Sequence, residues 1–151
     1  MSMRLSNRAI YGLRAIFDLA YHSAGEPTQV REIAERAQVP VRFLEQIFLD
    51  LKRAGLVESK RGPRGGYRLV VEPGALTLAK VFAALEDLPE LPDALGDASE
   101  ESAARVPDVV CQEIFGKMID LLSEVTIADL IERGEELGFS RQCYQGFTYV
   151  I

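Results

Sequence analysis

Tryptophan is absent from this 151-residue chain, histidine occurs once and cysteine twice. The single imidazole, His22, has no nucleophile or carboxylate pattern placed beside it, which argues against an enzyme working by acid–base or nucleophilic catalysis. At the end of a helix such a residue is accounted for by the helix dipole. The two cysteines, Cys111 and Cys143, are too far apart for a metal knuckle and too few for a disulfide framework. In a reducing cytosol both are expected as thiols. No segment approaches the roughly 18 uninterrupted apolar residues of a membrane helix. The opening residues carry no apolar run of the kind that precedes a secretory cleavage site. The expected location is therefore the cytoplasm, with no membrane partner.

Net charge is −6, which on its face disfavours nucleic acid, but the average conceals a division. Residues 1–71 carry 12 Lys/Arg against 7 Asp/Glu, whereas residues 72–151 carry 5 against 16. One half is thus suited to meet polyphosphate and the other to avoid it.

Ile10, Leu13, Phe17, Ala20 and Tyr21 recur at helical spacing, predicting a first helix that ends near Ala24 and Gly25. Thr28 is placed to cap a short second helix with Val30, Ile33, Ala34 and Ala37 inward. After Gln38-Val39-Pro40, Val41, Leu44, Ile47, Phe48 and Leu51 predict the inner face of a third helix stopped by Gly55. Its outer face is expected to carry Arg42, Glu45, Gln46, Asp50 and Arg53. Two short helices joined by a tight turn have the form of a helix-turn-helix, although periodicity alone fits any small helical bundle equally well.

The next segment decides between them. Residues 56–60 and 67–70 read as strands, and Arg61-Gly62-Pro63-Arg64-Gly65-Gly66 reads as a hairpin tip. A hairpin directly after the third helix is a wing, and Lys60, Arg61, Arg64 and Arg68 give it positive charge. The tip lacks the Gly-Lys-Ser/Thr of a nucleotide phosphate loop. It is slim and basic enough to enter a DNA minor groove.

Residues 77–87 predict a further helix, and residues 88–107, rich in proline and acidic residues, predict an exposed loop that is either functional or disordered. Val110, Ile114, Met118, Leu121, Leu122 and Val125 then form a long apolar stripe on a helix over 108–124. Little else in the chain is available to cover it, so the economical expectation is pairing with a second copy. Thr126 and Asp129 fit a capping box for a short helix running through Glu132. The tail, residues 138–151, alternates enough for a short strand. The expected fold is mainly α with a small β-hairpin wing: a winged helix-turn-helix domain over 1–71, then a connecting helix, acidic loop and long dimerisation helix over 72–133, and a tail over 134–151.

Several motifs make the chain resemble a known family. Met3-Arg4-Leu5-Ser6, Tyr11-Gly12-Leu13-Arg14-Ala15, Phe43-Leu44-Glu45-Gln46-Ile47, Gly55-Leu56-Val57, Arg61-Gly62, Gly65-Gly66-Tyr67 and residues 125–130 are together similar to the Rrf-two family of winged-helix transcription regulators. The resemblance covers about residues 3–133. It implies a homodimer on double-stranded DNA at a partly palindromic operator, usually as a repressor, with the third helix in the major groove and the wing tip in a minor groove. Carried over by position, Arg42, Phe43, Glu45 and Gln46 would face bases or phosphates and Arg61 the minor groove. Ser6, Tyr11, Thr28, Gln29 and Arg64 would contact phosphates. The chemistry agrees: Arg42 can fork onto guanine, Glu45 can accept from a cytosine amino group, and a narrow groove attracts Arg61.

The chain departs from the family in one respect. Many members hold an iron–sulfur cluster on three closely spaced cysteines in the loop before the long helix, sometimes with a ligand from the first helix. Here residues 88–107 contain neither cysteine nor histidine, the position of the last cluster cysteine falls near Arg105, and the first-helix positions fall near Ile10 and Arg14. Two distant thiols do not supply the usual four ligands. No iron–sulfur cofactor and no metal site are therefore expected. The signal would be a small molecule, a protein partner or oxidation of a thiol, with Cys143 in the tail the better redox candidate and Cys111, on an apolar helix face, expected to be buried. A protein-interaction module derived from a winged helix is the alternative, distinguished by lack of salt-sensitive duplex binding.

Overall fold

The computed structural model describes residues 5–85, 88 and 103–141. The first helix, α1, spans Asn7–His22, and Ser6 caps it by accepting from the Ala9 N–H at 3.0 Å. It stops where Ala24 and Gly25 turn to φ of 47° and 84°. Helix α2 spans Val30–Ala37 and α3 spans Val41–Arg53, with Gln38 in the left-handed conformation between them. Strands β1, Val57–Lys60, and β2, Gly66–Leu69, form one antiparallel hairpin in which Val57 faces Leu69 and Lys60 faces Gly66. Helix α4 spans Leu78–Ala84 on a Thr77 cap, α5 spans Val106–Glu124 and α6 spans Ile127–Glu136.

The core is one cluster. Ala15, Ile16 and Leu19 of α1 meet Ile33 of α2 and Leu44, Ile47, Phe48 and Leu51 of α3. Each fully buried Leu, Ile or Phe contributes about 1.5–3 kcal/mol of transfer free energy, enough to hold three short helices that would not persist alone. Leu76, Val81, Leu85 and Ile127 belong to the same cluster, so the packing runs through residue 71 without interruption. Gly12 makes the α1–α4 approach possible, because a Cβ there would lie 2.3 Å from a Leu85 methyl.

Two backbone stitches join segments distant in sequence. Thr28 and Tyr67 exchange hydrogen bonds of 2.9 and 2.8 Å, sewing β2 to the α1–α2 turn. Gly66 permits this, since any Cβ there would sit 2.1 Å from the Thr28 carbonyl oxygen and its φ is +141°. Leu78 N–H donates to the Val125 carbonyl and Ile127 N–H to the Leu76 carbonyl, at 2.9 and 2.8 Å, tying the start of α4 to the α5–α6 junction.

Several sequence expectations change. Thr28 does not cap α2; Gln29 occupies that position without a side-chain bond, because the Thr28 hydroxyl is buried against the Ser23 hydroxyl at 2.6 Å. Val41 points outward, 40 % exposed, since the first residue of α3 lies beyond the edge of the α1 contact. The long helix begins at Val106, inside the stretch expected to be loop, and α6 continues to Glu136 rather than stopping at Glu132. The Thr126–Asp129 capping box is present with both of its bonds. The expected tail strand and Cys143 lie outside the described residues, apart from 138–141, as does most of the acidic loop.

Candidate nucleic-acid interface

Helix α3 turns Leu44, Ile47, Phe48 and Leu51 to the core, which leaves Arg42, Phe43, Glu45, Gln46, Leu49 and Arg53 exposed. This is the geometry a reading helix needs: one face anchored, the other free along its length. Phe48 anchors the wing as well, its ring stacked on Tyr67 at 4.4 Å and 10°. The hairpin tip is turned by Gly62, whose carbonyl accepts from Gly65 N–H at 2.9 Å. The Gln29 amide donates to the Pro63 carbonyl at 3.4 Å, linking the start of α2 to the wing tip.

Charge is distributed unevenly over this surface. Arg8 pairs with Asp50, Arg53 also reaches Asp50, and Arg68 pairs with Glu58 across the hairpin. Arg42, Lys60, Arg61 and Arg64 are exposed and carry no ion pair among the described residues. The Arg42 guanidinium instead lies over the Phe43 ring at 4.9 Å, and Phe43 in turn meets Tyr11 of α1 at 6.0 Å. Of these unpaired cations Arg42 stands on α3, and Lys60, Arg61 and Arg64 stand on the wing that follows it.

The expected site residues therefore separate. Arg42, Phe43, Glu45 and Gln46 share the exposed face of α3, Arg61 and Arg64 share the wing tip, and Tyr11 is half-buried behind Phe43. Ser6 is half-buried with its hydroxyl accepting from the α1 N-terminus, and the Gln29 side chain is exposed. Thr28 is withdrawn as a phosphate contact: it is buried, and its hydroxyl and backbone groups are all engaged internally. Sequence reasoning missed Leu49, whose apolar character reads as core although its position, two residues before Leu51, turns it to the open side.

The angle between α1 and α2 is held by a buried pair. Arg36 forks onto Asp18 with bonds of 3.0, 3.3 and 2.7 Å and reaches Glu32 at 2.7 Å. Burial disfavours the guanidinium charge, but the Asp18 bond and field outweigh it and raise the Arg36 pKa above its ordinary value. Beside it, burial lowers the His22 pKa, a tendency that Asp18 opposes and that Arg36 and Arg141 reinforce.

Beyond the winged part, α5 contains no buried residue. Ile114 and Leu121 are 56 % and 62 % exposed, Val110 is also exposed, and Met118, Leu122 and Val125 are half-buried. Cys111 is exposed as well, contrary to the expectation of a buried thiol. The donor set does not fit an iron–sulfur cluster: among the described residues no three of His, Cys, Asp or Glu converge, and the sequence of the 88–107 segment has no thiol or imidazole to contribute. No helix among the described residues is long and apolar enough to cross a membrane.

An anchored helix with a free outer face, a preceding helix at a fixed angle and a basic hairpin beside them define a winged helix-turn-helix DNA-binding protein. Residues 5–133 match the family described as Rrf2, iron-dependent transcriptional regulator, and the chain belongs to that family. It is 32 % identical to the HTH-type transcriptional regulator IscR of Vibrio cholerae over 91 % of this chain and 80 % of the relative. The structure of T. potens IscR superposes with a TM-score of 0.75 at 31 % identity, covering 93 % of this chain and 95 % of the other. CymR, the global cysteine regulator of B. subtilis, superposes with a TM-score of 0.71 at 30 % identity, over 87 % and 98 %. The chain is thus a DNA-binding transcription regulator and not an enzyme.

Proposed function

We propose that this regulator acts in the cytoplasm as a homodimeric repressor on a partly palindromic operator, and that its signal does not come through an iron–sulfur cluster. The observation that carries the DNA docking is the contrast among cations: Arg42, Arg61 and Arg64 have no carboxylate partner among the described residues, while Arg8 and Arg53 share Asp50 and Arg68 pairs with Glu58. Leaving charge uncompensated on one face favours a polyanion there. In this reading α3 lies in the major groove with Arg42, Glu45 and Gln46 at base edges. Arg61 enters the minor groove, while Arg64, Gln29, Ser6 and Tyr11 position the backbone.

Support for two-fold symmetry comes from α5. A helix of 19 residues with an apolar stripe and no buried residue is completed most economically by its own twin. The paired stripe is Val110, Ile114, Met118, Leu121, Leu122 and Val125, which sets the two reading helices apart by a fixed distance. Control falls to a small molecule, a protein partner or thiol chemistry at Cys111 or Cys143. The absence of cysteine and histidine from the sequence of residues 88–107 is what supports a clusterless signal. The division of labour proposed is reading by residues 1–71 and pairing and sensing by residues 72–151.

The test is selection of duplexes from a random library by the purified protein, followed by titration of the selected duplex over salt. Enrichment of an inverted repeat with a steep loss of affinity as salt rises is expected. Arg61→Ala is expected to weaken binding by about 1–3 kcal/mol, and Glu45→Ala to relax preference at one base pair per half-site. No enrichment, with affinity indifferent to both substitutions, would overturn the docking.

A further inference from the structure

The outer face of α3 is less polar than a phosphate-positioning surface requires. Phe43 is 45 % exposed and Leu49 is 43 % exposed, and Gln46 lies midway between them at intervals of three residues. Residues three apart form a continuous row on a helix surface, so the row reads apolar, amide, apolar. Apart from the contact of Tyr11 of α1 with the Phe43 ring, the row is open among the described residues, although the side chains buried on the opposite face of α3 show how well this helix packs where a neighbour exists.

Phe43 is also restrained. Tyr11 meets its ring at 6.0 Å and 45°, and the Arg42 guanidinium lies 4.9 Å from its centroid. A ring held on two sides loses little conformational freedom on contact, as a specificity element requires. Arg42 beside it, and Arg61 and Arg64 on the wing, carry no ion pair among the described residues, which favours a partner that is anionic overall while presenting apolar atoms. A protein surface with that combination is unusual. The major groove of A·T-rich DNA has it, because thymine carries a C5-methyl group between two phosphate backbones.

We propose that Phe43 and Leu49 read the C5-methyl groups of thymines, on either side of an adenine recognised by Gln46. This rests on the placement of α3 in the major groove proposed above and names the bases it reads. A glutamine amide can bond adenine at N6 and N7 together, and an apolar side chain gains by covering the thymine methyl. The same side chain over guanine O6 or a cytosine amino group would strip water from a polar atom and return no hydrogen bond. The row therefore selects A·T pairs by attraction at the methyls and by penalty elsewhere. Arg42, drawn toward the Phe43 ring, is left to a neighbouring phosphate or guanine.

The experiment uses the full-length protein and its selected duplex, with each thymine replaced in turn by deoxyuridine, which removes the methyl and keeps the base pair. Binding is read by fluorescence anisotropy. Two thymines per half-site are expected to lose about 3–10-fold in affinity on losing the methyl. Phe43→Ala is expected to abolish the sensitivity at one of them and Leu49→Ala at the other, each with an unchanged circular dichroism spectrum. Affinity within two-fold after every replacement, on a duplex that still binds tightly, would overturn the proposal and leave the DNA docking intact. So would Phe43→Ala and Leu49→Ala that weaken thymine and uracil duplexes alike. No duplex selected at all would overturn both the proposal and the docking on which it rests.

Discussion

Helices α3 and α5 carry similar apolar residues at similar spacing, yet their surroundings differ completely. Every strongly apolar position on the inner face of α3 is sealed by α1, α2 or the wing, whereas α5, half as long again, has none buried. The difference does not lie in periodicity. It lies in what closes over each stripe among the described residues. Once the winged part has used its own, α4 and the start of α6 join that same cluster, and α5 is left open. Among the described residues α3 is thus enclosed within one chain, whereas α5 keeps its stripe open, and its pairing with a second copy is what we propose.

The largest expected effect breaks the open side of this comparison. Ile114→Glu together with Leu121→Glu places two charges where the partner helix would lie, and burying them unpaired is strongly unfavourable. Sedimentation is expected to show at least about 100-fold weaker self-association, since each apolar side chain removed from the paired stripe is worth about 1.5–3 kcal/mol. Affinity for an inverted repeat should fall with it while the helical spectrum persists. A dimer of unchanged strength would show that α5 is covered by something other than its twin.

On the closed side, Phe48→Ala removes a fully buried ring that packs the α3 core and stacks on Tyr67. Denaturant unfolding is expected to show a loss of about 3–5 kcal/mol. Ile114→Ala, by contrast, should change the monomer by about 0.5 kcal/mol or less, once dimer dissociation is held apart by measuring at several concentrations. Equal effects would mean that the two helices are not differently specified after all.

Next in size is the Asp18–Arg36 pair. Asp18→Ala leaves a largely buried guanidinium with only the more exposed Glu32 as carboxylate partner, and a loss of about 1.5–3 kcal/mol is expected. Asp18→Ala with Arg36→Met should recover much of it, because no buried charge is then left alone. If the double variant is no better than the single, the pair contributes through something other than charge compensation.

The sequence made the repeated elements legible and the long-range ones illegible. The three helices and the hairpin follow from spacing and from glycines whose backbone requirement is local, as at Gly55 with its φ of +75°. Asp18 and Arg36 look like solvated charges until the fold brings them together across the turn between α1 and α2. Thr28 has the chemistry of a cap, but tertiary contacts with Ser23 and Tyr67 claim its hydroxyl and its backbone. Leu49 and Val41 mislead in the opposite direction, because an apolar residue near the edge of a helical stripe does not announce which side of the edge it occupies. The proposed reading face rests on family motifs, and the apolar row that crosses it is visible only from the exposure of Phe43 and Leu49.

The smallest expected effects are electrostatic and sharpen the comparison by locating two of its joints on the pH scale. Burial lowers the His22 pKa below its ordinary value of 6.5, so between the two values the unfolded chain binds the proton and the folded chain does not. Stability should therefore be complete above pH 6.5 and decline as pH falls through the lowered value, a step that His22→Gln removes. Asp129 behaves as an acid: hydrogen bonds from Thr126 at the start of α6 lower its pKa from an ordinary 3.8, and the stability they supply is lost as pH falls below that value. Asp129→Asn should remove this second step alone. Unfolding followed from pH 8 to pH 3 in the two variants thus separates the end of α1, inside the closed winged part, from the α5–α6 junction. A single merged transition that neither substitution alters would show that neither group is coupled to folding in the way its surroundings imply.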